Sequence, residues 1–107
     1  MLEKRRHART SIELPVTFTV TGSSEQAHGI AKDISIGGVF IETSTAAAFG
    51  AEIVVRAELR SATHSFGAFD LPGVVRWVRA GGMGVQFRLL GVHETHAITE
   101  MSKSLER

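Results

Sequence analysis

Cysteine is absent from the 107-residue chain, and so is tyrosine. Without cysteine there can be no disulfide, no thiolate metal site and no cysteine nucleophile, and nothing indicates an oxidising compartment. No apolar run approaches the roughly 20 residues that span a bilayer, and no apolar stretch follows the basic start as it would in a signal peptide. We therefore expect a cytoplasmic protein without membrane insertion.

Net charge is also low, at +1, and it is unevenly placed. The first ten residues contain Lys4, Arg5, Arg6 and Arg9 against the single acid Glu3. A protein that binds nucleic acid polymers usually spreads its basic residues over a whole face. The local charge therefore favours a compact anionic ligand and argues against a nucleic acid polymer as the partner.

The periodicity of apolar residues predicts six β-strands and one helix. From Ile12 to Val20 apolar and polar residues alternate strictly, as a half-buried strand requires. The strands are predicted at 12–20, 27–36, 39–43, 53–60 and 66–78, with a last strand that follows the turn 80–82 and reaches 89, and a period near four predicts a helix over 93–105. This order predicts an all-β fold, a six-stranded antiparallel β-barrel with a short C-terminal α-helix that caps one open end. We divide the chain into a basic arm, 1–10, and one barrel domain, 11–107.

Four details of the barrel are predicted from single residues. Pro15 lacks an N–H and indicates an edge or a bulge in the first strand. Gly37 and Gly38 indicate a bend between the second and third strands. A bulge is expected near 70–73 in the long fifth strand, and Phe49 is expected to point inward from the loop over 43–51.

Two short segments carry candidate chemistry. Arg5 and Arg9 lie in the arm, and a guanidinium can pair a phosphate or a guanine edge through two hydrogen bonds. Asp33 and Ser35 are two apart on a predicted strand, so they share one face while Ile36 belongs to the opposite, core-facing side. An aspartate can accept hydrogen bonds from guanine nitrogens. Together the segments predict a site for an anionic ligand that has a purine edge.

The same residues resemble the pattern of the PilZ domain family, in which Arg-x-x-x-Arg precedes Asp/Asn-x-Ser-x-x-Gly. Arg5 and Arg9 match the first motif, and Asp33, Ser35 and Gly38 match the second. Gly-Val-Val-Arg-Trp at 73–77 and Gly-Met-Gly-Val-Gln-Phe at 82–87 are similar to the late strands of that family. The resemblance implies a small β-barrel that binds cyclic di-GMP, a bacterial second messenger, and passes the signal to a protein effector.

The resemblance also implies roles for these residues. Asp33 is expected on a guanine edge, Ser35 on polar groups of the ligand, and Gly38 leaves room for it. The secondary candidates are Lys4, Arg6, Gly37 and Trp77, the last as an aromatic platform. In the family, a basic residue just before the first motif arginine accompanies two stacked ligand molecules, and Lys4 holds that position here. Ligand binding is expected to order the arm.

Other interpretations remain open. The arm could be a solvated tail, Asp33 and Ser35 an ordinary polar pair beside a turn, and Trp77 a core residue, with Arg76 or Arg79 on the solvent side of its strand. The alternative function is a protein-interaction module of the same fold that does not bind nucleotide. A single-stranded nucleic acid binder would interleave aromatic and basic residues, which this chain does not do clearly.

Catalysis and metal binding have little support in the sequence. Serine, histidine and aspartate occur without the context of a triad, and the paired carboxylates of a hydrolase are missing. His93 and His96 are three apart on the predicted helix, but no third ligand is placed by the sequence. The sequence therefore predicts no enzyme, no metal site and no cofactor.

Overall fold

The structure is a computed structural model that describes residues 10–61 and 63–105, with side chains as far as Lys103. The elements in chain order are β1 (Thr10–Val20), β2 (Gln26–Ser35), β3 (Gly38–Glu42), β4 (Glu52–Arg60), β5 (Ser65–Arg79), β6 (Gly82–Phe87) and α1 (Val92–Leu105). The six strands close into an antiparallel barrel in the order β1-β2-β3-β6-β5-β4. The predicted fold class is confirmed.

The barrel interior is filled by the inward half of each alternating pattern. On β4, for example, Ile53, Val55, Ala57 and Leu59 are buried, whereas Arg56 and the other charged residues between them face solvent. The helix contributes Ala97, Ile98 and Met101, which are buried in the same core. Because α1 packs on β1, β2, β4 and β5, it closes one end of the barrel, as the sequence predicts.

The β1–β4 ladder is short. It runs only from Val20↔Ile53 to Thr17↔Arg56, and the two strands continue beyond that point without pairing to each other. Pro15 lies beyond the end of this ladder, which agrees with its prediction as an edge residue.

The expected bulge near 70–73 is wrong, because Leu71, Pro72 and Gly73 pair regularly with β4. The carbonyl of Pro72 accepts a hydrogen bond from the Arg88 amide, beyond the last residue of β6. In a strand the N–H and C=O of one residue point to the same side, so the missing N–H of Pro72 also faces this irregular segment. The proline therefore removes no hydrogen bond from the β4–β5 ladder.

Phe49 and Ile36 are expected to face inward but are exposed, and so is Leu89, the last residue of the predicted sixth strand. Phe49 is 71% exposed and Leu89 is 96% exposed, because the loop over 43–51 places Phe49 outward and β6 already ends at Phe87. Ile36 is also exposed, because it lies in the turn that follows β2 and no longer on the strand. The bend predicted at Gly37 and Gly38 is this turn, and Gly38 is the first residue of β3.

Candidate functional site

Two β-bulges determine which side chains reach the outer surface of the barrel. On β2 the register shifts between Ala31 and Asp33, and on β5 it shifts between Val75 and Trp77. In a regular strand, residues two apart share a face, so Asp33 would join buried Ala31 and Trp77 would join buried Val75. A bulge re-aims the side chains that follow it. Asp33 and Trp77 therefore leave the core-facing side.

The redirected residues belong to one row that crosses five strands. Ser11 of β1 pairs with Asp33 of β2, Asp33 with Phe40 of β3, Phe40 with Gly84 of β6, and Gly84 with Trp77 of β5. Neighbouring strands lie about 4.8 Å apart, so Asp33 and Trp77 are roughly 14 Å apart along the row. The candidate site is this row together with the turn that ends β2.

The centre of the row is a pair of stacked aromatic rings. Phe40 and Trp77 have ring centres 5.3 Å apart and planes inclined by 12°. Gly84 and Gly82 of β6 leave space for them: a Cβ on Gly84 would lie 2.2 Å from the indole, and one on Gly82 would lie 2.7 Å from the Phe40 ring. Trp77 is 40% exposed, so it is a surface residue and not the core tryptophan of the alternative interpretation.

Arg79 completes this aromatic cluster. Its guanidinium carbon lies 4.8 Å from the centre of the Trp77 ring and 5.5 Å from that of Phe40. Such cation–π contacts contribute about 0.5–1 kcal/mol at exposed sites. We call Phe40, Trp77 and Arg79 the aromatic shelf.

The turn that ends β2 is held by its own motif residues. The prediction that Ser35 lies on an open face with Asp33 is wrong, because Ser35 is only 3% exposed and its hydroxyl accepts a hydrogen bond of 3.0 Å from the Gly37 amide. The carbonyl of Gly37 accepts a hydrogen bond of 2.9 Å from the Phe87 amide at the end of β6. Gly38 is needed by the sheet itself, because a Cβ there would lie 2.3 Å from the Val85 carbonyl oxygen. The second motif thus builds the turn beside the half-buried Asp33.

Glu13 and Lys32 form an ion pair at the β2 bulge. The Lys32 Nζ lies 2.5 Å from the Glu13 Oε2, and this hydrogen bond lowers the pKa of Glu13 and raises the pKa of Lys32. Both groups are solvent-exposed enough that the pair adds little to stability. Lys32 is the extra residue of the β2 bulge, so the ion pair links this bulge to β1 just before Asp33.

The structure brings some of the predicted site residues together. Asp33, Ser35, Gly37 and Gly38 lie at the end of β2 and the start of β3, and Trp77 lies in the same row as Asp33. Lys4, Arg5, Arg6 and Arg9 lie outside the described residues. Their predicted contacts with the ligand stay predictions.

Phe40 and Arg79 were not predicted as site residues. A signal for them exists in β6, where Gly82 and Gly84 alternate with the buried Met83 and Val85. Two outward positions without a side chain on one strand indicate that large side chains from the neighbouring strands cover these two glycines.

The described residues of the candidate site lie on the outer surface of the barrel. A cavity of about 560 Å³ lies elsewhere, at the β1–β2 turn and the loop after β3, and is lined in part by Phe18, Ala27 and Ala46. None of the described site residues lines it. Within residues 10–61 and 63–105, no group of three or more His, Asp or Glu side chains could hold a metal ion. No helix in this part of the chain is long and apolar enough to cross a membrane.

Comparisons with known proteins give a family and a fold. A family model described as the PilZ domain matches residues 3–103. No curated protein sequence matches the chain significantly. Among solved structures, the PilZ domain of YcgR from Escherichia coli with c-di-GMP is 15% identical, with a TM-score of 0.78 over 98% of this chain and 93% of that one.

Two longer proteins share the fold. The Bacillus subtilis inhibitor of motility MotI is 17% identical with a TM-score of 0.77, over 92% of this chain and 49% of that one. MrkH of K. pneumonia, in a c-di-GMP complex, is 18% identical with a TM-score of 0.68, over 92% of this chain and 50% of that one. The chain therefore spans about half the length of MotI and MrkH, and at these identities the likeness concerns the fold.

Proposed function

The chain belongs to the PilZ domain family, and on that basis we propose that it is a receptor domain for cyclic di-GMP that signals to a protein effector. The observation that carries this proposal is the row on the outer barrel surface, where Asp33 of the second motif pairs with Phe40, whose ring is stacked with that of the exposed Trp77. A carboxylate beside an aromatic surface suits a guanine base, which presents N–H donors at its edge and a flat face for stacking.

We assign the ligand contacts by chemistry. Asp33 accepts hydrogen bonds from the guanine ring and exocyclic nitrogens, and Arg5 and Arg9 pair with the phosphates or the other guanine. Ser35 and Gly38 keep the turn in place, and a ligand contact of the Ser35 hydroxyl would compete with its hydrogen bond to Gly37. Trp77 supplies an aromatic platform. Each charge-assisted contact contributes about 1.5–3 kcal/mol, so two arginines and one aspartate can account for micromolar binding, about −8 kcal/mol.

The arm is the part of the receptor that responds. We propose that Arg5 and Arg9 close over the ligand from the arm 1–10, with Arg6 as an additional cation, and that this ordering is the conformational signal. The cost of ordering reduces the affinity that the individual contacts would give. Lys4, just before the first motif arginine, favours two stacked ligand molecules per protein.

The signal has a structural route away from the site. The hydrogen bond from the Phe87 amide to the Gly37 carbonyl joins the motif turn to the end of β6, five residues before α1 begins. We propose that ligand binding at the turn alters this joint and the surface that a protein effector contacts. Slower exchange of the Phe87 amide hydrogen in the presence of ligand would support this route, and unchanged exchange would refute it.

The proposed activity is binding without catalysis. It is tested by calorimetric titration of the protein with cyclic di-GMP, in parallel with an Arg5→Ala, Arg9→Ala double variant. An Arg60→Ala variant is the control, because Arg60 is an exposed arginine at the end of β4. We expect saturable binding to the wild type and to the control, strong weakening in the double variant, and a stoichiometry that separates one ligand from two.

A wild type that releases no heat and shows no thermal shift with cyclic di-GMP would refute the receptor function. This result would favour the alternative function, a PilZ-fold interaction module that does not bind nucleotide. Equal binding by the double variant would instead remove the arm from the site and leave the receptor function in place.

A further inference from the structure

We infer that Arg79 is a ligand-binding arginine of this surface, and that its guanidinium donates paired hydrogen bonds to two acceptor atoms of the bound cyclic di-GMP. The acceptors are either phosphate oxygens or the O6 and N7 of a guanine, since both present the two-acceptor edge that a guanidinium fits. This inference rests on the proposed function, and it adds a third arginine to the pair in the arm.

The Arg79 guanidinium has hydrogen-bond donors that no protein acceptor in the described part of the chain uses. Arg79 is exposed, and one side of its guanidinium lies over Phe40 and Trp77. A cation–π contact pairs none of the five N–H donors of a guanidinium with an oxygen or nitrogen acceptor. In the part of the chain that the structure describes, Arg79 forms no hydrogen bond or ion pair with a protein acceptor. Its hydrogen-bonding edge is therefore available to a ligand.

Arg79 is held in position before any ligand arrives. Trp77 lies directly over Gly84, and the β5 bulge turns both Trp77 and the residue two further on to the outer face. An arginine on a flexible surface position loses much rotamer freedom when it binds, whereas one already stacked on aromatic rings loses less. The aromatic shelf is thus a support that orients one cation.

Arg79 and Asp33 both lie next to Phe40. Phe40 is the direct cross-strand partner of Asp33, and its ring is also one of the two rings beneath Arg79. Asp33 is therefore the neighbour of Phe40 on β2, and the Arg79 guanidinium lies over the ring of the same Phe40. The carboxylate suits the donor edge of a guanine and the guanidinium suits its acceptor edge or the adjacent phosphate.

Arg76 provides an internal comparison. It lies on the same strand and is also exposed, but its Nε donates a hydrogen bond of 2.6 Å to the Gln86 side chain and it contacts no aromatic ring in the described part of the chain. Arg76 and Arg79 carry the same charge on the same strand. Of the two, Arg79 alone lies over aromatic rings, so Arg76 is a control for the effect of net charge.

The experiment measures cyclic di-GMP binding to the full chain by calorimetry and by the fluorescence of Trp77, which is the sole tryptophan in a chain without tyrosine. The variants are Arg79→Ala, Arg79→Lys and Arg76→Ala, each checked for folding by circular dichroism. We expect Arg79→Ala to weaken binding by about 10-fold or more, as the loss of charge-assisted hydrogen bonds predicts. Arg79→Lys should restore only part of the affinity, because lysine cannot form the paired contact. Arg76→Ala should bind like the wild type.

A second arm identifies the acceptor. The 7-deazaguanine analogue of cyclic di-GMP keeps both phosphates and the donor edge that Asp33 reads, but lacks N7. If Arg79 contacts the guanine, the analogue binds the wild type more weakly and Arg79→Ala costs little further affinity. If Arg79 contacts a phosphate, Arg79→Ala weakens the analogue and the natural ligand equally.

Two results would overturn the inference. One is wild-type affinity in Arg79→Ala, which would leave the receptor function intact and remove Arg79 from the site. The other is equal weakening in Arg79→Ala and Arg76→Ala, which would show a nonspecific charge effect. A wild type that does not bind cyclic di-GMP at all would refute the proposed function, and this inference with it.

Discussion

Gly84→Ala tests the arrangement of the aromatic shelf without removing any of its side chains. The new Cβ would lie 2.2 Å from the Trp77 Cε2 and Nε1 atoms and 2.6 Å from Cζ2. Unstrained carbon contacts are about 3.5–4.0 Å, so the indole has to move by more than 1 Å. Because Trp77 is partly exposed, its ring can move outward into solvent, and the barrel itself can remain folded.

The size of the effect follows from what the moving ring loses. Loss of stacking on Phe40 costs about 0.5–1.5 kcal/mol, and loss of the Arg79 contact costs about 0.5–1 kcal/mol. Replacing a strand glycine by alanine returns about 0.5–1 kcal/mol, because the unfolded chain is less flexible. We therefore expect a net destabilisation of about 1 kcal/mol, which lowers the melting temperature by roughly 4–8 °C in a domain of this size.

The assay is thermal unfolding followed by circular dichroism, combined with the emission spectrum of Trp77. We expect a lower melting temperature and a red-shifted emission, because the indole enters a more polar environment. Arg60→Ala is the control, since Arg60 is exposed at the end of β4 and its loss should leave both signals unchanged. An unchanged melting temperature with unchanged emission in Gly84→Ala would refute the geometry of the shelf.

Three further predictions concern the surroundings of the site. Arg9→Glu should abolish most cyclic di-GMP binding while circular dichroism still shows a folded barrel, and normal binding would exclude the arm from the site. Thr10→Val should raise the free energy of unfolding in urea by about 1 kcal/mol, because the Thr10 hydroxyl is buried without a hydrogen-bond partner in the described part of the chain; a loss of stability would show that this hydroxyl is satisfied. The lowered pKa of Glu13 means that its pairing with Lys32 is complete above the ordinary carboxyl range and is lost as pH falls through the lowered value. In an NMR titration the Glu13 pKa should rise in Lys32→Ala, and an unchanged value would disprove the pairing.

The barrel could be predicted from the sequence because apolar residues, which face inward, alternate strictly with polar residues along its strands. Ile53, Val55, Ala57 and Leu59 are all buried in the order the pattern requires. The helix could be predicted for the same kind of reason, since Ala97, Ile98 and Met101 share one face and are buried together. Strong periodicity fixes which side of an element faces the core.

The bulges could not be located in this way. Pro72 and Gly73 look like strand breakers but lie in a regular ladder, whereas the β5 bulge that exposes Trp77 falls between Val75 and Trp77, in a run with no unusual residue. A bulge depends on the register of the neighbouring strand, which a local pattern does not contain. The exposure of Trp77 follows from that register, and so does the position of Arg79.

One part of the candidate site, the turn of the second motif, could therefore be predicted from the sequence, and the aromatic shelf could not. The second motif marks Asp33 and its turn correctly as one local unit, because Ser35 and Gly37 are joined by a hydrogen bond within the motif itself. The aromatic shelf is assembled from β3, β5 and β6, and its residues are brought together only by the closed barrel. Its one local trace is the pair of glycines at 82 and 84.

The placement of the ligand on this face of the barrel is tested most directly by the affinity of Asp33→Ala for cyclic di-GMP. This affinity is measured by calorimetry against the wild type and against Asp70→Ala. Asp70 is an exposed aspartate of β5 that pairs with Arg56, 2.7 Å away, and it controls for the loss of one surface carboxylate. We expect the wild type and Asp70→Ala to bind alike and Asp33→Ala to bind at least about 10-fold more weakly. Equal binding by all three proteins would contradict the placement of the ligand on this face of the barrel.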